Sequence, residues 1–302
     1  MKKFQTSVSY DALSFKINRE NFERETGNRQ PFQQKNQNSE FREYAICPSC
    51  LNPIQIIGLA HEIKSEPYGK HTGKSIKGFP DFDYRRYKFC PFADHKKHPN
   101  DDERLNTIDN GVVDLYNLLR SQFDRVVYVV SSTFGIRGTN QFWRGALKQF
   151  LNNKMYCYPW LTTSNLPYLF AYRGLHQQDL WGQQFRKNSA IYNALKAHPN
   201  VCFIPGNDTN FERLDRKNSF LRLQLRFSLF KQLVDSDHNL KETMTVFVDD
   251  LDTGKVVFNQ VITFDEDFFE RLIYKSGNDT KRQMWLLEIA KEMMPDIKPD
   301  KE

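Results

Sequence analysis

Cys47-Pro-Ser-Cys50, His71 and Cys90-Pro91 are the residues of this chain whose types and spacing best suit chemistry. A C-x-x-C spacing lets two thiolates face one ion from a tight turn. Zinc suits such a site because it takes four sulfur or nitrogen ligands in a tetrahedron and makes no redox demand. Cys90 has no cysteine partner three residues away, so the fourth ligand comes from elsewhere. His71 is the most economical choice: it lies in the polar loop Tyr68-Gly-Lys-His-Thr-Gly-Lys74, which has little other reason to bury a histidine. His95 and His98 compete for the position, and His61 is a weaker competitor beside an expected strand. Four protein ligands describe a structural Zn2+ site, closed to water. A redox C-x-x-C would prefer a helix N-terminus directly after a strand, and Pro53 followed by Ile54-Gln-Ile-Ile57 argues against a helix there. Cys157 and Cys202 have apolar neighbours and read as small core residues.

Around two of the ligands stand Lys70, Lys74, Lys77, Arg85, Arg86 and Lys88, with Lys96 and Lys97 beyond them. Tyr68, Phe79, Phe82, Tyr84, Tyr87, Phe89 and Phe92 are interleaved, and only Asp81, Asp83 and Asp94 oppose the positive charge. Cations neutralise phosphates, and aromatic faces stack on unpaired bases for about 1–3 kcal/mol each. Nucleic acid, DNA or RNA, is therefore the expected partner. The plainer alternative is that the aromatics form the small core of the zinc segment and the lysines keep it hydrated.

Enzyme readings are weaker. Ser131, Ser132, Thr133 and Arg137, with Gly135 and Gly138, lie between Val126-Val-Tyr-Val-Val130 and an expected helix, the outline of a phosphate or nucleotide loop. The segment matches neither G-x-x-x-x-G-K-[ST] nor G-x-G-x-x-G. Asp249, Asp250 and Asp252 are close enough to hold Mg2+, although a hairpin turn uses the same residues. Asp208, Glu212 and Lys217 only loosely resemble a nuclease set, and catalytic residues stay unassigned. A third class is an adaptor whose aromatic surface binds another protein; the multi-protein system belongs to the leading, nucleic-acid-binding reading.

Composition bounds these readings. The 302 residues are 39% hydrophobic and 26% charged, with 25 Phe and 13 Tyr, so a sizeable core forms. The whole net charge of +6 lies in residues 1–100, which hold 17 Lys+Arg against 11 Asp+Glu; the rest of the chain balances. A localised surplus points to an anionic partner more than a global one does. No apolar run approaches the roughly 20 residues of a membrane span, and residues 1–30 lack the pattern of a secretory signal. The five cysteines are then expected in a reducing compartment, the cytoplasm, and the Lys-, Asn- and Phe-rich usage suggests a prokaryote.

The elements that must position the site follow from pattern. Residues 1–43 read as an N-terminal segment, with a possible strand in residues 7–17 and a polar loop or linker over 21–43. Residues 44–100 read as a zinc-binding module too polar to fold alone. Residues 101–302 read as one domain, α/β (or α+β), with a mixed, partly parallel sheet and flanking helices. Within it the pattern predicts a helix ending near Phe123, a buried strand over 126–130, a helix from Thr139 or Asn140, and strands over 155–161 and 201–205. It also predicts helices over 181–198 and 220–234, a hairpin turning near Asp252–Gly254, and helices over 265–274 and 280–294. Over 220–234 alternation competes with helical spacing, and its length favours helix.

Overall fold

The computed structural model describes residues 1–59, 66–93, 98–206, 208–217, 221–274 and 282–300. The smaller of two hydrophobic cores carries the cysteines. It contains Met1, Phe4, Ile17 and Phe22 as well as Ala45, Ile54, Ile56, Tyr87, Cys47, Cys50 and Cys90. Its elements are β1 (Lys3–Phe4), β2 (Phe15–Lys16), α1 (Arg19–Thr26), β3 (Gln33–Lys35), β4 (Phe41–Ile46), β5 (Pro53–Ile57), β6 (Tyr68–His71) and α2 (Tyr84–Tyr87). Strands β1 and β2 pair, and β3-β4-β5-β6 form an antiparallel sheet in chain order.

Residues 21–43, expected as a loop or linker, thus hold most of α1, all of β3 and the start of β4. Asn18 caps α1, its side chain accepting from the Asn21 amide, and Phe22 is the apolar anchor that the polar composition concealed.

The larger core is built on α3 (Asn110–Ser121), α4 (Phe123–Phe134), β7 (Ile136–Arg137), α5 (Asn140–Asn152) and α6 (Leu166–Gly174). They are followed by β8 (Gln184–Arg186), α7 (Ala190–Lys196), β9 (Val201–Pro205), β10 (Phe211–Arg216), β11 (Leu223–Val234), β12 (Leu240–Asp250) and β13 (Lys255–Thr263). Helices α8 (Phe268–Tyr274) and α9 (Met284–Met293) close the chain. One sheet runs β7-β8-β10-β9 and another β11-β12-β13. Every pairing between described strands is antiparallel, so the fold is α+β, and the partly parallel α/β sheet is not what forms.

Two patterns misled the reading of this part. The run 126–130 lies inside α4, not in a strand. Its buried residues Phe123, Val126, Val127, Val130 and Phe134 follow a helical stripe, while Tyr128 remains 48% exposed. Packing overrides the strand preference of β-branched residues. Conversely, 223–234 is strand, not helix. Leu223, Leu225 and Phe227 face the core in alternation until a bulge at Leu229, which has φ +59° and a 56% exposed side chain. The bulge shifts the phase by one residue, so Phe230 turns inward again. That shift made an alternating strand look helical.

Elsewhere the reading holds in part. The hairpin β12–β13, β9, α3, α5 capped by Thr139, α8 and α9 lie where patterning put them, the last two with shorter bounds. Residues 155–157 form a short 3-10 turn rather than a strand, and the span 181–198 divides into β8 and α7.

The two cores are docked. Phe89 packs edge-on against Trp160 with ring centroids 5.1 Å apart. The Ser9 hydroxyl donates to Asp114 at 2.7 Å, and Tyr68 stacks on His238 at 4.1 Å. Among the described residues no helix is long and apolar enough to cross a membrane.

Candidate metal centre

Cys47 and Cys50 flank the tight turn between β4 and β5. Cys47 N–H donates to the Asn52 carbonyl at 2.9 Å, and Leu51 N–H donates back to the Cys47 carbonyl at 2.8 Å. Closing this turn puts Leu51 in the left-handed region at φ +60°. For a residue with a Cβ that costs about 1–2 kcal/mol. Burial of the Leu51 side chain, 7% exposed in the larger core, offsets it.

Strand β6 supplies His71. It pairs with Ile54 of β5, and the alternation of the strand turns it to the inner face of the sheet. Two pairs further along, on the same face, Gly69 lies against Ile56, where a Cβ would come within 2.8 Å of Ile54 Cδ1. Cys90 lies three residues beyond the end of α2. Its neighbour Phe89 belongs to the larger core while Cys90 belongs to the smaller, so consecutive residues tie the two together.

The four ligand atoms, three Sγ and one imidazole nitrogen, all lie within 4.8 Å of one another and can hold a metal ion. Cys47 Sγ is 3.8 Å from Cys90 Sγ, and His71 Nε2 is 3.2 Å from Cys50 Sγ and 3.8 Å from Cys90 Sγ. The three cysteines are at most 4% exposed and His71 is 9% exposed. Among the described residues this is the one such cluster. His98 lies outside it and is exposed, and His61 and His95 fall outside the described residues.

The electrostatics favour a cation. Burial alone would raise the Cys47 thiol, but hydrogen bonds from Cys50 and Cys90 and the charge of His71 hold it well below its usual range. Burial and the Cys47 sulfur push Cys50 up, and Cys90 rises well above the usual thiol range for the same reasons. Burial would lower His71, but the Cys50 and Cys47 sulfurs outweigh it and lift the imidazole to about 11. Three thiols crowded in one dry place do not all ionise unaided. A dication between them removes that conflict, and its binding releases their protons.

Asn52 was not singled out by its sequence position. Its side-chain amide donates to the Asp83 carbonyl at 3.0 Å and approaches Cys50 Sγ at 3.5 Å, while its oxygen accepts from the Asp83 amide at 2.7 Å. It is 1% exposed and fastens the turn to the segment that leads into α2 and Cys90. Outer partners of this kind are typically worth about 10–100-fold in metal affinity. Asn52→Ala is expected to weaken metal binding at least about tenfold in competition with a chromophoric chelator. Unchanged affinity would remove this role.

The basic set divides. Lys70 and Lys74 line one groove, and the Lys77 carbonyl accepts from Gln34 Nε2 beside β3. Arg85 pairs with Asp83 at 3.3 Å but is 70% exposed, and the Lys88 ammonium sits 4.6 Å above the Phe89 ring. Arg86 is turned inward: its guanidinium is 12% exposed, pairs with Asp109 and donates to Tyr10 Oη at 3.1 Å. It joins the two cores. Many of the interleaved rings contact one another or the larger core, as Phe82 and Tyr87 do at 5.1 Å.

The proposed phosphate loop does not form. Ser131, Ser132 and Thr133 lie in the last turn of α4, which Gly135 ends in the left-handed region. The Gly135 amide donates to the Ser131 carbonyl, and Thr133 Oγ1 donates to the Val129 carbonyl at 2.8 Å. A helix C-terminus presents carbonyls and negative partial charge, the wrong end for a phosphate. Arg137 pairs with Asp208 at 2.9 Å and stacks on Phe211. Asp249 pairs with Arg226 at 2.5 Å, Asp252 with Arg222 at 3.0 Å, and Asp250 caps the β12–β13 turn, so these carboxylates serve the hairpin.

The chain matches no protein-family model, no curated protein and no solved structure.

Proposed function

We propose that Cys47, Cys50, His71 and Cys90 hold a structural Zn2+, and that the sheet it fastens presents a surface that binds nucleic acid. The observation that carries this reading is the alternation of β6. His71 turns into the ligand cluster, and Lys70, one residue before it, turns to the outer face of the same sheet. Fixing the histidine therefore fixes the lysine.

The donor set and spacing support zinc. A tetrahedral zinc with Zn–S bonds of about 2.3 Å separates two sulfurs by about 3.8 Å. Cys47 and Cys90 stand 3.8 Å apart. Four protein ligands leave no open position, so the role is structural. Thiols kept as ligands suit a reducing compartment such as the cytoplasm.

Lys70, Lys74 and Lys77 are the phosphate-facing residues of this reading, with the exposed Arg85 and Lys88 contributing charge nearby. Arg86 positions the unit and does not contact the ligand. Fluorescence anisotropy with labelled single- and double-stranded oligonucleotides tests the proposal. Binding should weaken steeply with added salt, by about a factor of ten or more between 50 and 200 mM. The double variant Lys70→Glu/Lys74→Glu should lose at least about tenfold in affinity at constant zinc content. No salt-dependent binding to either form sinks the proposal.

A further inference from the structure

We infer that the nucleic acid is single-stranded and lies in one groove on the outer face of the β3–β6 sheet; this rests on the nucleic-acid reading above. The groove measures about 730 Å3 and is lined by Lys35 of β3, Arg42 of β4, Gln55 of β5, and Lys70 and Lys74 at and after β6, with Tyr44 between them. Residues 36–38 form one wall.

The strand register explains the assembly. Arg42 and Tyr44 are two apart on β4 and share a face. Tyr44 pairs with Gln55, and Gln55 pairs with Lys70, so one row crosses three strands on the outer side. The inner side of the same strands carries Ala45, Ile54, Ile56 and His71, all buried. The back of His71 also borders the groove, so the metal centre lies directly beneath it.

Among the described residues the lining holds four cations and no carboxylate. Glu40 opposes this charge, 3.5 Å from Arg42, with both side chains about half exposed. Such an exposed pair is weak and exchanges readily for a phosphate. Lys35 sits 5.3 Å from the ring of its cross-strand partner Phe41, which is 51% exposed.

Shape selects the strand form. The groove has the size of a small-molecule cleft, which typically spans about 300–1,000 Å3. A duplex is a convex rod whose bases are stacked away from such a recess. A single strand can lay its phosphates along the cations and turn a base onto Tyr44, whose ring is held edge-on by Phe79 at 6.5 Å. The Gln55 amide then meets a base edge.

The test uses the full chain with zinc content measured throughout. Labelled 12-nucleotide single strands of DNA and RNA are compared with the matching duplexes, and with AMP as competitor. At least one single strand should bind about tenfold or more tighter than its duplex. Its log affinity should fall with log salt at a slope near −3, as expected for four neutralised phosphates at about −0.7 each. Arg42→Ala/Lys70→Ala should reduce that slope to about −1.5. Tyr44→Leu should weaken single-strand binding about tenfold while leaving the slope unchanged.

Duplex binding as tight as single-strand binding overturns the inference while leaving nucleic-acid binding itself standing. So does a slope unmoved in Arg42→Ala/Lys70→Ala, which would place the contacts elsewhere. AMP competing as strongly as the 12-mer would make the groove a mononucleotide site and also overturn it.

Discussion

Cys50→Ser protein should purify with almost no zinc and melt at least about 10 °C below the parent, whereas Cys157→Ser should keep a full equivalent. The smaller core cannot stand alone: three of its buried residues are the ligand cysteines, and much of its remaining surface is polar. Structural zinc is worth about 10–16 kcal/mol in small isolated modules. Docking on the larger core through Phe89, Ser9 and Arg86 leaves part of the fold without the ion. A net loss of several kcal/mol then lowers the melting temperature by about 2–4 °C for each one. Cys157 is buried outside the cluster, where burial raises its thiol to about 11, so it is a matched control. Elemental analysis beside thermal melting reads both effects. Full zinc in Cys50→Ser would contradict the assignment.

Glu242→Gln should stabilise the protein at pH 8 and change little at pH 4.5. Glu242 is 1% exposed on β12, and its Oε1 accepts from Gln232 Nε2 at 2.7 Å and Asn165 Nδ2 at 3.0 Å. Burial lifts its carboxyl from 4.5 to about 7, against those two hydrogen bonds. Below pH 4.5 the group is protonated in both the folded and the unfolded chain and contributes nothing. Between 4.5 and 7 the unfolded chain loses the proton first, and above 7 the folded state carries the full cost of a buried charge. Stability from this group therefore falls as pH rises through that window, by on the order of 3 kcal/mol. Glutamine keeps the two accepted hydrogen bonds and removes the charge. Thermal melts at the two pH values decide it; equal effects at both would show that the carboxyl does not titrate there.

The ligand cluster was legible because metal chemistry is written in residue type. Thiol and imidazole side chains are few, and the C-x-x-C turn is local. The groove was only half legible. Lys70 and Lys74 stood out beside the ligands, but Arg42 and Tyr44 join them through cross-strand register, and Lys35 from the end of β3, which no local pattern carries. Arg86 misled because sequence shows charge and not direction, and its partner Asp109 lies 23 residues further along the chain. In the fold, the β12–β13 hairpin was readable from its turn residues and α5 from its Thr139 cap. The failures were the β-branched run inside α4 and the bulged strand β11, where packing and one left-handed residue reversed the local preference. The core role of Phe22 within a polar stretch was hidden because its partners, Phe4 of β1 and Ile17 just after β2, lie outside that stretch.

X-ray absorption at the zinc edge on the purified full chain tests the central claim most directly. The account predicts one zinc per chain with three sulfur ligands near 2.3 Å and one nitrogen near 2.0–2.1 Å, and no bound water. A zinc shell made of oxygen and nitrogen alone, or protein that is folded and metal-free after purification without chelator, would contradict it.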